Sequence, residues 1–221
     1  MNIMLFEKIK NIDMQRYVSH LLIFAVGIGC VFSCCSLYYF YKVYQEQAAQ
    51  KVIGFCIEDY RNALKSKDRD WDKIIDGFSL AATEFSASAL APYCYVFQAQ
   101  VLYEKGDYSG SIKVLEKAVE MIPKGSLFFY VFKTKLALFM LDARDELDKQ
   151  KGVAMLTDVA RAPDNVVKDY ALYYLGYYHW SRNELNEAKK IWQELVDEYR
   201  HEKSSPSTWA QLAEQKLPYI L

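Results

Sequence analysis

The sequence predicts an all-α protein, with one apolar helix near the N-terminus followed by a series of helical hairpins. Long stretches with apolar residues at helical spacing alternate with short polar loops, and only nine glycines and five prolines occur in 221 residues. No Asn-Gly or Asp-Gly pair lies between two alternating strand patterns. A charge-free run of 21 residues precedes three related short motifs, which indicates an anchor and then an internal repeat.

The composition and the lack of catalytic motifs argue against several function classes. Lys and Arg number 27 and Asp and Glu number 28, so the formal net charge is −1 and no strongly basic face is expected for nucleic acid. No glycine-rich phosphate loop, His-Glu-x-x-His motif or nucleophile elbow occurs in the sequence. We therefore expect no enzyme activity, no catalytic residue, no cofactor and no small-molecule substrate.

The run "LLIFAVGIGCVFSCCSLYYFY", Leu21 to Tyr41, is predicted to span a membrane. As a helix it is about 30 Å long, which is the thickness of the hydrocarbon core of a bilayer. Tyr17 precedes the run and four aromatic residues end it, as expected where side chains meet the two membrane interfaces. The predicted divisions are a short cytoplasmic segment (1–16), a transmembrane helix (17–41) and a repeat domain (42–221) that includes a C-terminal capping helix.

The apolar run has two alternative interpretations. A cleaved signal peptide has a shorter apolar region and a small-residue cleavage site, and neither feature fits. A lipoprotein acylated at Cys30 or Cys34 is the second alternative, although the chain stays apolar for seven residues beyond Cys34. A retained and unacylated anchor is the main prediction.

The orientation of the anchor follows from the basic residues on its two sides. Lys8, Lys10 and Arg16 precede the run, whereas Lys42 and Lys51 follow it. Basic residues concentrate on the cytoplasmic side of membrane spans. This asymmetry predicts a cytoplasmic N-terminus and a repeat domain outside the cytoplasm.

Three stretches superpose as the second helix of a repeated hairpin. They are "DWDKIIDGF" from Asp70, "DYSGSIKVL" from Asp107 and "ELNEAKKIW" from Glu184. Each opens with an acidic residue, which the positive end of a helix dipole favours. The shared packing positions are Ile74, Ser111 and Ala188, followed four residues later by Phe78, Leu115 and Trp192.

The first helices of two hairpins share the W-x2-L-G-x2-Y spacing of tetratricopeptide repeats. Leu172, Leu175-Gly176 and His179 hold these positions before Glu184, and Tyr95, Gln98-Ala99 and Leu102 hold them before Asp107. The small residues Gly176 and Ala99 are expected where the two helices of one hairpin cross closely. The fold class is therefore a tetratricopeptide-like solenoid of helical hairpins.

A less regular hairpin is predicted between these two. A mostly apolar helix starts after Ser126, "ARDELDK" is read as a loop, and a return helix runs from Lys151 to Ala160. After "HEKSSPS", the segment from Thr208 to Leu217 is predicted to cap the exposed end of the stack, as terminal repeats require.

The cysteines and histidines do not form a metal motif. Cys30, Cys34 and Cys35 lie in the apolar run, and His20, His179 and His201 are scattered. Cys56 and Cys94 could form a disulfide in an oxidising compartment, but two buried thiols on different helices are the more common outcome. No metal site is expected.

Aromatic stripes on the first helices are the candidate partner-binding residues. The stripe before Glu184 is Tyr170, Tyr173, Tyr177 and Trp180, and the stripe before Asp107 is Tyr93, Val96, Gln100 and Tyr103. Tyrosine and tryptophan are common in protein interfaces, so these residues are predicted to line a concave groove. Burial under the C-terminal helix is the alternative. Because the groove lacks a basic cluster for a C-terminal carboxylate, an apolar or unfolded protein segment is the expected ligand.

These features together resemble one known group of proteins. The motifs "GDYSGSIKVLEKAVEMIP" and "YYLGYYHWSRNELNEAKKIWQELV", placed after a single span, are similar to bacterial membrane-anchored tetratricopeptide proteins such as the ancillary subunit of the Sec translocon. The resemblance implies a single-pass protein of the inner membrane that serves as an adaptor for translocon, chaperone or client proteins. A structural role in outer-membrane or cell-wall assembly, including as a lipoprotein, is the alternative.

Overall fold

The computed structural model describes residues 2–163, 165–199 and 207–220, except for the side chains of 2–19, 21–23 and 25. All regular elements in these ranges are helical. They are α1 (Asn2–Lys65), α2 (Trp71–Glu84), α3 (Ala91–Lys105), α4 (Tyr108–Met121), α5 (Leu127–Leu141), α6 (Glu146–Arg161), α7 (Lys168–Ser181), α8 (Leu185–Tyr199), α9 (Thr208–Lys216) and a 3-10 helix (Leu217–Tyr219).

The chain divides into two units, and the first ends at Gln50 within α1. Among the described residues, one helix is long and apolar enough to cross a membrane, judged by length and composition, over Val26–Lys65. None of the residues in its most apolar window is buried. The predicted cytoplasmic segment is helical from Asn2, but the side chains of its basic residues lie outside the described set.

The second unit, from Lys51 onward, is a stack of antiparallel helical hairpins. Helices α3 and α4, α5 and α6, and α7 and α8 form the three complete hairpins, and α2 packs against α3. Residues 51–65 of α1 stand in the position of a first helix before α2, with Tyr60 at 6.3 Å from Trp71 between ring centroids. The predicted tetratricopeptide-like arrangement is therefore present in this unit.

Two of the three acidic residues that open the repeated motifs cap their helices. Asp70 accepts a hydrogen bond from the Lys73 N–H at 3.1 Å, and Asp107 accepts one from the Gly110 N–H at 2.9 Å. These bonds satisfy N–H groups that have no partner in the first turn of a helix. The turn before Asp107 needs a left-handed residue, which Gly106 supplies with φ of 89°. In the turn of the last hairpin, Asn183 takes the same conformation with φ of 60°.

The repeat positions aligned from the sequence form the core of the hairpins. At the first position and at the one four residues later, all six side chains are buried: Ile74, Ser111, Ala188, Phe78, Leu115 and Trp192. Trp192 is fully buried, and its Nε1–H donates to the Tyr173 carbonyl at 3.0 Å. This bond lets the indole lie in the core without an unsatisfied polar atom.

Two glycines lie where paired helices approach each other closely. A Cβ added to Gly176 of α7 would overlap the indole of Trp192 on α8. The expected close crossing at Gly176 is therefore present. A Cβ added to Gly152 of α6 would lie 2.8 Å from the Ala137 carbonyl of α5. This second crossing was not predicted, because the hairpin of α5 and α6 does not follow the repeat spacing.

Helix α6 starts at Glu146, so the prediction of a loop over "ARDELDK" and a helix from Lys151 was wrong. Asp145 accepts a hydrogen bond from the Leu147 N–H at 3.1 Å and caps the helix. Glu146 and Asp148 then occupy the first turn, where the helix dipole stabilises negative charge. The acidic residues that suggested a loop are therefore the start signal of the helix.

Cys56 and Cys94 are both free thiols in the second unit. Cys94 is buried, and burial raises its pKa to about 11. Burial also raises the pKa of Cys56. The two thiols lie on different helices, as expected for the more common outcome, but only Cys94 is buried and Cys56 is half-buried.

Candidate functional site

A cleft of about 330 Å³ lies between the C-terminal parts of α3, α5 and α7, the first helices of three successive hairpins. Two leucines and a serine line it together with five aromatic rings and one carboxylate. We call it the tyrosine cleft. Its aromatic and acidic residues are Tyr103, Phe139, Asp142, Tyr174, Tyr177 and Tyr178.

Tyr103 of α3 is fixed on one side of the tyrosine cleft by contacts with α5. Its ring stacks on Phe139 with centroids 4.3 Å apart, and its hydroxyl donates to the Asp142 carboxylate at 2.6 Å. Burial first, and then the hydrogen bond to Asp142, raise the pKa of Tyr103 well above its usual range. The phenol therefore remains a hydrogen-bond donor at neutral pH and holds the carboxylate in place.

Three tyrosines of α7 form the opposite side of the tyrosine cleft. Tyr174, Tyr177 and Tyr178 are three and four residues apart and so share one face of the helix. Tyr174 and Tyr177 contact each other edge to face at 6.4 Å between centroids. Tyr177 is 42% exposed, so a large part of its ring remains available to a ligand.

The structure places Tyr173 in the core, which differs from the expectation that it faces a groove. Only 9% of Tyr173 is exposed, and its ring lies 5.2 Å from that of Trp209 on α9. Tyr170 also packs on Trp209, at 4.7 Å, and burial raises its pKa to about 12. The Ser207 hydroxyl donates to Asp169 at 2.6 Å and so holds the start of α9 against the start of α7. Helix α9 thus covers the N-terminal half of the α7 stripe.

Trp180 and Tyr93 also lie outside the tyrosine cleft. Trp180 is half-buried, with Lys216 of α9 at 5.0 Å from its ring centroid. Tyr93 fills the junction between α3 and α5, in edge contact with Phe128 at 5.8 Å and Phe132 at 5.7 Å. Val96, from the same predicted stripe, is buried in the core. Of the six predicted contact residues, Tyr103 and Tyr177 line the cleft.

Four of the six aromatic and acidic residues of the tyrosine cleft were not predicted from the sequence: Phe139, Asp142, Tyr174 and Tyr178. Tyr174 and Tyr178 are four residues apart on α7, so their helical spacing could have identified them. Asp142 had no such signal, because it follows the last residue of α5 and resembles an ordinary loop residue. Only its position across from Tyr103, 39 residues away in sequence, reveals a role.

A second pocket, of about 260 Å³, lies between α6, α7 and α8. Its charged lining includes Arg161, Glu187, Lys190 and Glu194, so acidic and basic groups are matched. His179, also in the lining, contacts Glu184 at 2.6 Å, and this hydrogen bond lowers the pKa of Glu184. Among the described residues, no three potential metal ligands come together. This pocket has the character of a solvated surface.

Comparison with known proteins identifies the fold of the chain. No protein-family profile and no curated protein match the sequence. Eleven chains of solved structures match. One is a crystal structure described as "Podosopora anserina putative kinesin light chain nearly identical TPR-like repeats". It is 10% identical, with a TM-score of 0.59 over 78% of this chain and 85% of its own. The likeness shows a tetratricopeptide-like repeat fold, which is in general a protein-interaction module.

Proposed function

We propose that the protein is a membrane-anchored scaffold that binds partner proteins through the tyrosine cleft. The observation that carries this proposal is the position of the cleft, on the face where the first helices of three hairpins meet. Repeat proteins of this kind use such faces for binding. Exposed tyrosine rings supply rigid contact area at low entropic cost, and Tyr177 has the largest exposed fraction among the cleft tyrosines.

The anchor in this proposal is the apolar part of α1, corresponding to the predicted span 17–41. Its large side chains, among them Phe32 and Leu37, are exposed in a helix that is free of charge from Leu21 to Tyr41. Such a surface is unfavourable in water and favourable in lipid. We therefore propose that this segment lies in a bilayer.

The cellular location of the protein and the class of its partners are also part of the proposal. The resemblance to anchored tetratricopeptide proteins and the basic asymmetry around the span favour a single-pass protein of a bacterial inner membrane, with the repeats outside the cytoplasm. In that position the protein would act as an adaptor for translocon, chaperone or client proteins. The alternative is a component of outer-membrane or cell-wall assembly.

Placing charges in the anchor is expected to release the protein from membranes. Ile28→Asp combined with Val31→Asp should move most of the chain from the carbonate-resistant pellet to the soluble fraction, because both residues lie near the centre of the span and each charge there costs about 2.5–3.5 kcal/mol. Phe55→Asp is the matched control, since Phe55 is an exposed aromatic of α1 beyond the span. If the unaltered protein is itself extracted by carbonate, the anchor is refuted.

Protease digestion of spheroplasts tests the orientation of the anchor. Protease added to intact spheroplasts is expected to digest the repeat part of the unaltered chain while cytoplasmic markers survive. Digestion only after lysis would instead place the repeats in the cytoplasm.

Removing the exposed ring of Tyr177 is expected to weaken partner capture. Truncating an interface aromatic to alanine typically costs about 2 kcal/mol, which corresponds to roughly 30-fold in affinity. The measurement is a pull-down from detergent-solubilised membranes, with Tyr219→Ala as control because Tyr219 is highly exposed and does not line the cleft.

The identity of the captured proteins distinguishes the adaptor role from the role in outer-membrane or cell-wall assembly. Translocon subunits and a folding factor would support the adaptor, whereas cell-wall or outer-membrane assembly proteins would support the alternative. Equal capture by Tyr177→Ala and Tyr219→Ala would show that the cleft is not the binding surface.

A further inference from the structure

We infer that the tyrosine cleft selects partner segments that carry a positively charged side chain, arginine or lysine, and this inference rests on the proposed protein-binding function. The cleft combines one carboxylate, that of Asp142, with five aromatic rings. No lysine, arginine or histidine is present among the residues that line it. This composition matches a cation rather than a carboxylate or a purely apolar group.

The Asp142 carboxylate has capacity for a ligand. It is exposed, and Tyr103 donates one hydrogen bond to its Oδ2 atom at 2.6 Å. A carboxylate can accept about four hydrogen bonds, so positions for a guanidinium or ammonium donor remain. Because Tyr103 is stacked on Phe139, this hydrogen bond orients the carboxylate before a ligand arrives. A pre-oriented acceptor reduces the entropic cost of binding.

The aromatic rings supply the second attraction. A cation within about 6 Å of a ring centroid is attracted to the negative face of the ring. Two cations of the chain already use rings of the cleft in this way, Lys135 at 5.5 Å from Phe139 and Arg182 at 5.6 Å from Tyr178. Among the described cation–ring contacts, none involves Tyr174 or Tyr177. Tyr174 is half-buried against Trp209, at 5.6 Å between ring centroids, so the exposed ring of Tyr177 is the one that remains available to a ligand.

The two nearby cations do not cancel the negative character of the site. Arg182 is held by Glu146 at 2.8 Å and by Glu184 at 3.2 Å. Burial lowers the pKa of Lys135, although the negative charge of Glu104 opposes this shift. Glu146 also pairs with Lys149 at 3.6 Å. The four carboxylates of this region, Asp142, Glu104, Glu146 and Glu184, still outnumber the three basic groups, Arg182, Lys135 and Lys149. A basic side chain entering beside Asp142 therefore meets a net negative surrounding.

Three labelled peptides that differ at one position test the inference. The probes are fluorescein-labelled 11-residue peptides of Gly and Ser with a central Leu-Arg-Leu, Leu-Gln-Leu or Leu-Glu-Leu. Binding to the full chain in dodecyl maltoside is measured by fluorescence anisotropy. We expect the arginine peptide to bind about tenfold more tightly than the glutamine peptide, because a charge-assisted hydrogen bond and a cation–ring contact add to the apolar contacts.

Asp142→Asn is expected to remove the preference for arginine while leaving the affinity for the glutamine peptide within twofold. Asp158→Asn is the matched control, because Asp158 is an exposed aspartate of α6 that does not line the cleft. Equal binding of the arginine and glutamine peptides, or tightest binding of the glutamate peptide, overturns the inference.

The variants also distinguish this inference from the proposed function. If Tyr177→Ala weakens all three peptides but Asp142→Asn weakens none, the cleft binds protein segments without selecting a charge. If neither substitution changes the binding of any peptide, or if no peptide binds, both the cleft as a binding surface and its selectivity are overturned.

Discussion

Tyr173→Ala is expected to lower the free energy of unfolding by about 3–5 kcal/mol, whereas Tyr177→Ala is expected to change it by less than about 1 kcal/mol. The reason is burial, since Tyr173 is 9% exposed and Tyr177 is 42% exposed. Removing a buried aromatic ring loses its transfer free energy and leaves a cavity. The ring of Tyr173 contacts both Trp192 and Trp209, so the cavity would open in the middle of the core formed by α7, α8 and α9.

Guanidinium unfolding of the full chain in detergent, followed by circular dichroism, measures this difference. The two tyrosines are four residues apart on one helix, so each substitution is the control for the other. Comparable losses of stability for both would contradict the division of the stripe into a covered half and an open half. A loss of 3–5 kcal/mol is a large part of the 5–15 kcal/mol that stabilises an ordinary domain.

Gly176→Ala is expected to lower the free energy of unfolding by at least about 2 kcal/mol, although it adds a single methyl group. The added carbon would overlap the indole of Trp192, which is fully buried and cannot move outward. Overpacking of a filled core typically costs about 1–3 kcal/mol. Displacing the indole would also stretch the hydrogen bond from Trp192 Nε1 to the Tyr173 carbonyl, now 3.0 Å long.

Gly54→Ala is the matched control for this substitution. Gly54 lies inside α1, and a Cβ added there meets nothing within 4 Å. Alanine in an exposed helix interior is expected to be neutral or to stabilise by about 0.5–1 kcal/mol. Tryptophan fluorescence should shift to longer wavelength in Gly176→Ala and remain unchanged in Gly54→Ala. Equal stability of the two variants would mean that the crossing of α7 and α8 is looser than the structure indicates.

The repeat pattern was predictable because it records contacts that recur at fixed spacing. The six aligned core positions, from Ile74 to Trp192, are all buried, and their recurring spacing in the three motifs identified them. The caps Asp70 and Asp107 were also recognisable, since an acidic residue directly before an apolar helical pattern is typical of a helix N-terminus. Local rules were therefore sufficient for the pairing within hairpins and for the helices other than the start of α6.

The candidate site depended on contacts that no local rule contains. Whether Tyr173 is buried depends on the path of α9, and a stripe at helical spacing is equally compatible with a core and with a surface. Asp142 acquires its role only through Tyr103, which belongs to the preceding hairpin. The start of α6 at Glu146 was missed for a different reason, because a cluster of charges is common both in loops and in the first turn of a helix.

Helices of three successive hairpins line the tyrosine cleft, so a ligand bound there is expected to affect how the stack of hairpins bends. Solenoids of helical hairpins bend and twist at the interfaces between neighbouring repeats, much as a spring does. A ligand seated between Tyr103 and Tyr177 would bridge the first and the last of the three hairpins, so bending there would require the ligand to leave. By linkage, a ligand at 100 times its dissociation constant adds about 2.7 kcal/mol to the stability of the state that binds it. A ligand bound in the tyrosine cleft would therefore make the stack of hairpins stiffer.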